Sequence, residues 1–588
     1  MFRPVCAPWA LRLGVIAGAL WALQACSSVP TTLLAKDGGI NQIGGSATGN
    51  YLAGRQAGLE QDTETAARYF NRALSADPNN QSILERAFLL DVAAGDVAEG
   101  AALAHKVASA SPDNRVARLI AGIDSIKRGN YAEALSALEG GGKADGADII
   151  WTTIRAWADA GQGRTDEALA LMRTDEVKNA LGAFGSFHEA MILDYAGRKT
   201  DAEAAYAAAV SASQGRSVRV LEAFGSLLER EGKRDEAIKL YNTYLSLVPD
   251  HPVMVAALDH AKAHGRPAPP LVKSPAEGAA EALYGIAVVL AGEQAVELPI
   301  VYTQLALYLA PDLAPGHALL GDLYEQQNNW EKAVASFSRI PPGAPVAELA
   351  AISIARDLSR LDKTEQGITL LKTWAQKDPK SVDIQVTLGD LYRAQEKWDL
   401  AATCYDAALK SMVKDDPRSW EIIYAKGISL ERGGKWDQAE PLLQQALKLQ
   451  PDQPQVLNYL GYSWIDRGEK LKEALSLIDR AVAQRPDDGY VVDSLGWAYY
   501  RLGDYQTAVY YLEHAVELKA DDPTINDHLG DAYWRIGRRL EAKFQWSHAL
   551  TYNPSDDEAK AIKHKLEDGL ADVKSSVSVA GPTRAASK

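Results

Sequence analysis

The sequence predicts an all-α protein: helix-turn-helix repeats stacked into a superhelical solenoid, in two arrays. Three observations predict it. Between Pro454 and Asp556 the glycines Gly461, Gly496 and Gly530 recur at intervals of 35 and 34 residues. Two alanine series, Ala474, Ala508, Ala542 and Ala481, Ala515, Ala549, recur at 34 residues. Pro486 and Pro554 stand where a second helix should stop, because proline lacks the amide and clashes with the preceding turn.

Each repeat buries its apolar face only against its neighbours, so small residues must mark the places where helices cross closely. Leu460, Leu495, Leu529, Leu512 and Trp546 are the expected fillers between those crossings. In the middle repeat Ala520 takes the stop position, and Pro523 opens the next helix in its first turn, where proline is tolerated. A Leu-Gly pair, an aromatic three residues on, a mid-repeat Ala and a closing Pro together resemble the tetratricopeptide (TPR) pattern.

Bulk properties narrow the class. Of 588 residues, 47% are hydrophobic and 24% charged, which excludes a chain that spans membranes throughout or lacks order broadly. Net charge is −15 without a concentrated basic tract, which disfavours nucleic acid as a partner. The three cysteines, Cys6, Cys26 and Cys404, offer no disulfide framework.

Taken in order, residues 1–25 read as a secretory signal: Arg3 and Arg12 precede an apolar run of eleven, Leu13 to Leu23. That run is short for a stable membrane span. It leads into Leu23-Gln24-Ala25-Cys26, which resembles the bacterial lipobox and implies lipidation of Cys26; Gln24 stands where a small residue is usual. Ser27 after the cysteine implies, by the same resemblance, sorting to the outer membrane with the protein facing the periplasm. Residues 26–46, rich in Ser, Thr and Gly, read as a flexible tether.

Residues 47–261 read as a degenerate TPR array, with Ala134, Ala168 and Ala202 spaced by 34. Residues 262–279 carry four prolines and read as a linker, or else an ordered insertion, dividing two arrays. Residues 280–556 read as the C-terminal TPR array, with Gly321, Gly389 and Gly427 in first helices and Ala333, Ala401 and Ala439 in their partners. A charged helix over 557–573 is the expected cap, and 574–588 read as a disordered tail.

No catalytic constellation emerges, so the chain reads as a non-enzyme without a cofactor. Glu139 to Lys143 looks like the start of a phosphate loop, but Ala144 replaces the hydroxyl residue and a turn is expected. His260 and His264 are one helical turn apart with no third ligand nearby, so a solvated helix end is expected rather than a metal site. Cys404 reads as a packing residue. The remaining chemistry is binding. First-helix positions that face the groove of a TPR array map onto Asn458, Tyr462, Asp493, Trp497, Tyr500, Arg501, Asp527, Asp531, Trp534 and Arg535. Aromatics among arginines and carboxylates suit an extended peptide or a helix laid in a groove. The paired Lys and Asn positions that hold a terminal carboxylate are missing.

The stretch from Asn458 to Arg538, beginning NYLGYSWIDRGEK, is similar to large TPR outer-membrane lipoproteins that bind a periplasmic carboxyl-terminal processing protease. The resemblance is most specific across about residues 420–556. It implies a non-catalytic adaptor that engages the protease and presents substrates such as peptidoglycan hydrolases. A scaffold of an envelope secretion or polysaccharide-export complex is the alternative. Oligomeric state stays open.

Overall fold

The computed structural model describes residues 46–60, 62–139, 149–174, 177, 182–263, 265–292 and 296–571. The leader, Cys26, His264, the Gly140 to Lys143 run and the tail beyond 571 lie outside the described residues. Among the described residues there are thirty α-helices and no strand. No described helix is long and apolar enough to cross a membrane. The chain divides into two compact units, with the division between Leu370 and Leu371.

Unit 1 begins as antiparallel helix pairs, from Ala47–Leu59 with Thr63–Ala76 to Val218–Arg230 with Arg234–Leu245. Its second helices start with polar caps where the sequence supplies them: Asp62 and Asn130 each accept a backbone N–H of the first turn. One apolar core runs through it from Phe70 to Leu309.

The proline-rich stretch differs from expectation. It is no free linker: the Ser226 hydroxyl donates to the Pro269 carbonyl at 2.7 Å, Arg234 donates to the Gly265 carbonyl at 2.9 Å, and Val272 is buried. A helix, Pro275–Leu290, already starts inside it. Nor does the stretch divide the arrays. Pro275–Leu290 lies against Ile149–Gly161 and Ala183–Tyr195, and Glu297–Leu309 lies against Gln81–Ala94 and Arg115–Lys127. Both helices are apolar almost all round, and a helix of that kind needs neighbours on every side. The early repeats therefore bury segments of their own chain. Trp157 covers Gly278, where a Cβ would stand 2.4 Å from the indole ring. Buried Arg219 pairs with buried Glu281, and the Tyr308 hydroxyl donates to Asp124 at 2.7 Å.

Unit 2 holds five helix pairs. They are Val382–Ala394 with Trp398–Ser411, Ser419–Arg432 with Trp436–Leu449, and Pro454–Arg467 with Leu471–Gln484. Gly489–Leu502 with Tyr505–Leu518 and Pro523–Arg535 with Arg539–Ala549 complete the set. The expected crossings hold: a Cβ on Gly496 would meet Leu512 at 2.6 Å, and one on Gly530 would meet Trp546 at 2.5 Å. Gly503 closes its helix at φ 84°, a left-handed conformation that L side chains avoid. The cap is the helix Asp556–Asp568, started by a reciprocal Ser555–Glu558 capping box.

Candidate functional site

The ten candidate residues lie on three first helices that pack side by side, Pro454–Arg467, Gly489–Leu502 and Pro523–Arg535. A 34-to-35-residue repeat places equivalent positions on one face. None of the ten is fully exposed.

At the centre three rings form a ladder. Trp497 stacks on Tyr500 with centroids 4.5 Å apart and planes 8° from parallel, and on His528 at 4.0 Å and 12°. His528 is buried, and its Nδ1 lies 3.0 Å from the buried Asp493 carboxylate. Burial opposes a charged imidazole, but Asp493 in direct contact overrides it and raises the His528 pKa. Trp497 is thus held between a phenol and an imidazole biased toward its charged form. Arg535 Nε donates to the Tyr500 hydroxyl at 3.2 Å, which ties the last two first helices together.

Upstream, Tyr462 is half-buried, and burial followed by the charges of Asp493 and Asp466 pushes its phenol up to about 12. Arg501 donates to the Asp466 carbonyl at 3.0 Å. Asn458 is half-buried, and its Oδ1 has no hydrogen-bond donor among the described residues.

Downstream, the cap helix covers the final repeat. Lys565 Nζ reaches Asp527 at 2.7 Å and Asp531 at 2.8 Å. Asp531 also accepts from the buried Trp546 indole at 2.9 Å. Trp534 packs on Trp546 at 5.3 Å beneath Gly569, and Arg535 donates to the Ala571 carbonyl at 2.7 Å.

The structure therefore separates residues that sequence reasoning grouped. Asp493 and Asp531 are buried and serve repeat-to-repeat joints rather than an open face. Asp527, Trp534 and Arg535 are engaged by the cap. Tyr462, Trp497, Tyr500 and Arg501 keep half-buried surface at the middle of the row. His528 and Lys565 were missed. His528 sits 35 residues after Asp493, which is the spacing of neighbours on adjacent first helices.

Other candidates resolve simply. Among the described residues no group of three His, Cys, Asp or Glu could hold a metal ion. His260 pairs with the buried Glu229 at 3.1 Å. Cys404 is half-buried, and burial pushes its thiol up to about 11, which makes it a poor nucleophile.

Comparison with known proteins bears on this geometry. Tetratricopeptide-repeat models match residues 152–174, 187–252, 387–418, 424–489 and 496–537. These segments are tetratricopeptide repeats. They lie in both units, and the ten candidate residues all fall within or between the last two matched segments. No curated protein matches the chain.

Among solved structures, a tetratricopeptide repeat protein from Parabacteroides merdae is 14% identical over 43% of this chain and 97% of its own, with a TM-score of 0.36. The Cut9-Hcn1 hetero-tetramer of the APC/C is 15% identical over 89% and 96%, with a TM-score of 0.37. Yeast Tom70 is 14% identical over 89% and 95%, with a TM-score of 0.32. None is close enough to transfer an arrangement or a partner. What the repeats support is a scaffold for protein–protein interaction.

Proposed function

We propose that the protein is a lipid-anchored adaptor of the bacterial envelope. It is held through Cys26 at the periplasmic face of the outer membrane. Through the TPR row over 454–535 it binds a carboxyl-terminal processing protease, to which it presents cell-wall hydrolases. One observation carries the reading. The stretch that resembles the protease-binding lipoproteins is also the stretch where Tyr462, Trp497, Tyr500 and Arg501 keep surface on a single helix row. Tyr, Trp and Arg are the side chains that most often anchor a protein interface. Binding protease and substrate on one solenoid raises their effective concentration without any catalytic group in the scaffold.

The test mixes residues 27–588 with the protease of the same organism and reads size exclusion with light scattering. A purified cell-wall hydrolase then reports turnover. A stable complex with faster cleavage is the expected result. No complex and unchanged turnover would remove the protease from the reading and leave a scaffold with another client.

A further inference from the structure

The buried acids of unit 1 follow a rule with one exception. Asp124, Asp159, Asp194 and Glu229 stand at 35-residue intervals near the ends of successive first helices. Each has a cationic or polar partner at hydrogen-bond distance. Asp124 has Arg128 at 2.9 Å and Asp159 has Arg164 at 2.5 Å. Asp194 has both terminal nitrogens of Arg230, at 3.0 and 2.7 Å. Glu229 accepts from the Ala268 amide at 3.3 Å and faces His260 at 3.1 Å.

Asp357 holds the corresponding place in Ala347–Arg360 and breaks the rule. It is fully buried, and neither carboxyl oxygen receives a hydrogen bond from an N–H donor among the described residues. Its nearest cation, Arg360, stops 3.6 Å short, with half its side chain in solvent and its guanidinium over the Trp330 ring at 4.1 Å. What meets Asp357 instead is a second carboxyl group. Glu325, half-buried on the neighbouring first helix Ala314–Gln326, is hydrogen-bonded to it. Two carboxyl groups form such a bond only if one carries a proton, since neither anion can donate. The other charges facing the pair are Asp322 on the Glu325 helix, and Arg356 and Arg360 on the Asp357 helix. Asp322 is exposed and adds repulsion; the two arginines offset part of it.

We propose that Glu325 and Asp357 form a proton-sharing latch between two successive repeats of unit 1. One bound proton joins the two first helices, and its loss opens the joint. Burial, with Glu325 as the next cause, pushes Asp357 up to about 7, so the latch works near neutrality. The sign follows from linkage. A carboxyl group whose folded pKa lies above its unfolded value stabilises the fold fully below that unfolded value. The contribution fades as pH rises from 3.8 through about 7. The joint is therefore tighter in mild acid, opposite to the usual behaviour of a salt-bridged carboxylate.

Hydrogen exchange of residues 27–588, read by mass spectrometry and corrected for intrinsic rates, tests the latch. Peptides covering 314–326 and 347–360 should lose about tenfold in protection between about pH 6 and about pH 8. Glu325→Gln supplies a permanent amide donor to Asp357 and should abolish that difference. Asp357→Asn, which donates to Glu325 at either pH, should do the same. Equal corrected protection at both pH values in the unsubstituted chain overturns the proposal. So does a drop of the same size in both variants.

Discussion

Lys565→Ala should release the C-terminal cap, and the size of the effect can be worked from its surroundings. Lys565 Nζ bridges Asp527 and Asp531 at 2.7 and 2.8 Å. The side chains of Lys565 and Asp527 are 20% and 19% exposed, and that of Asp531 is 7% exposed. Removing one partner of a buried ion pair costs about 3–5 kcal/mol, because the other charge is left without compensation. Here the Trp546 indole still donates to Asp531, and Asp527 keeps contact with water, so the expected cost is about 2–3 kcal/mol. At 1.4 kcal/mol per decade, protection of the amides in Asp556–Asp568 should fall by roughly 30- to 150-fold in hydrogen exchange. The loss should shrink in mild acid, where an unpartnered Asp531 takes up a proton. A cycle with Asp531→Asn isolates the pair, since the neutral amide no longer needs the ammonium. A change below about threefold in Lys565→Ala, or strict additivity with Asp531→Asn, would refute the assignment of Lys565 as the tie between cap and final repeat.

Three further outcomes follow from packing and titration. Gly530→Val drives a Cβ to 2.5 Å from the fully buried Trp546 ring and should destabilise the last repeats by about 1–3 kcal/mol, visible as a lower urea midpoint. His188 is fully buried and accepts from the Trp157 indole at 3.1 Å, and burial lowers its pKa to about 3. Its contribution is complete above 6.5 and is lost as pH falls toward about 3, so His188→Asn should flatten the acid limb of unit 1. His528 has the opposite sign: its pKa is raised, so its contribution is complete below 6.5 and is lost as pH rises through the folded value. In hydrogen exchange, peptides over 489–535 should loosen on the alkaline side, and His528→Gln should remove that dependence.

The repeat was legible because it imposes a constraint on every copy. Gly461, Gly496 and Gly530 sit where a Cβ would collide with Ile478, Leu512 and Trp546, so size alone marks the period. The same logic located Gly321 against Phe337 and Gly389 against Tyr405. The packing of 275–309 onto the earlier repeats was not read, although it left a trace. Glu297–Leu309 carries one charged residue in thirteen, too few for a helix with a solvated face.

The candidate row was found but its roles were blurred, because position in a repeat names the neighbour a residue meets and not whether that neighbour satisfies it. Asp493 and Asp527 occupy equivalent positions. One is buried against His528 and the other is bound by the cap lysine, a difference set by what the following helix carries. The acid column of unit 1 was equally accessible: Asp124, Asp159, Asp194 and Glu229 keep a strict interval of 35. Acids attract less notice than glycines because most of them sit in water.

The adaptor reading rests on the helix row over 454–535 as the surface that meets the protease. Calorimetric titration of residues 27–588 with that protease, beside the Trp497→Ala and Arg501→Ala variants, tests it most directly. The account predicts binding by the unsubstituted chain and an affinity at least about tenfold weaker for each variant, with helix content unchanged. Equal affinity for all three chains would contradict it and move the interface to another face of the solenoid.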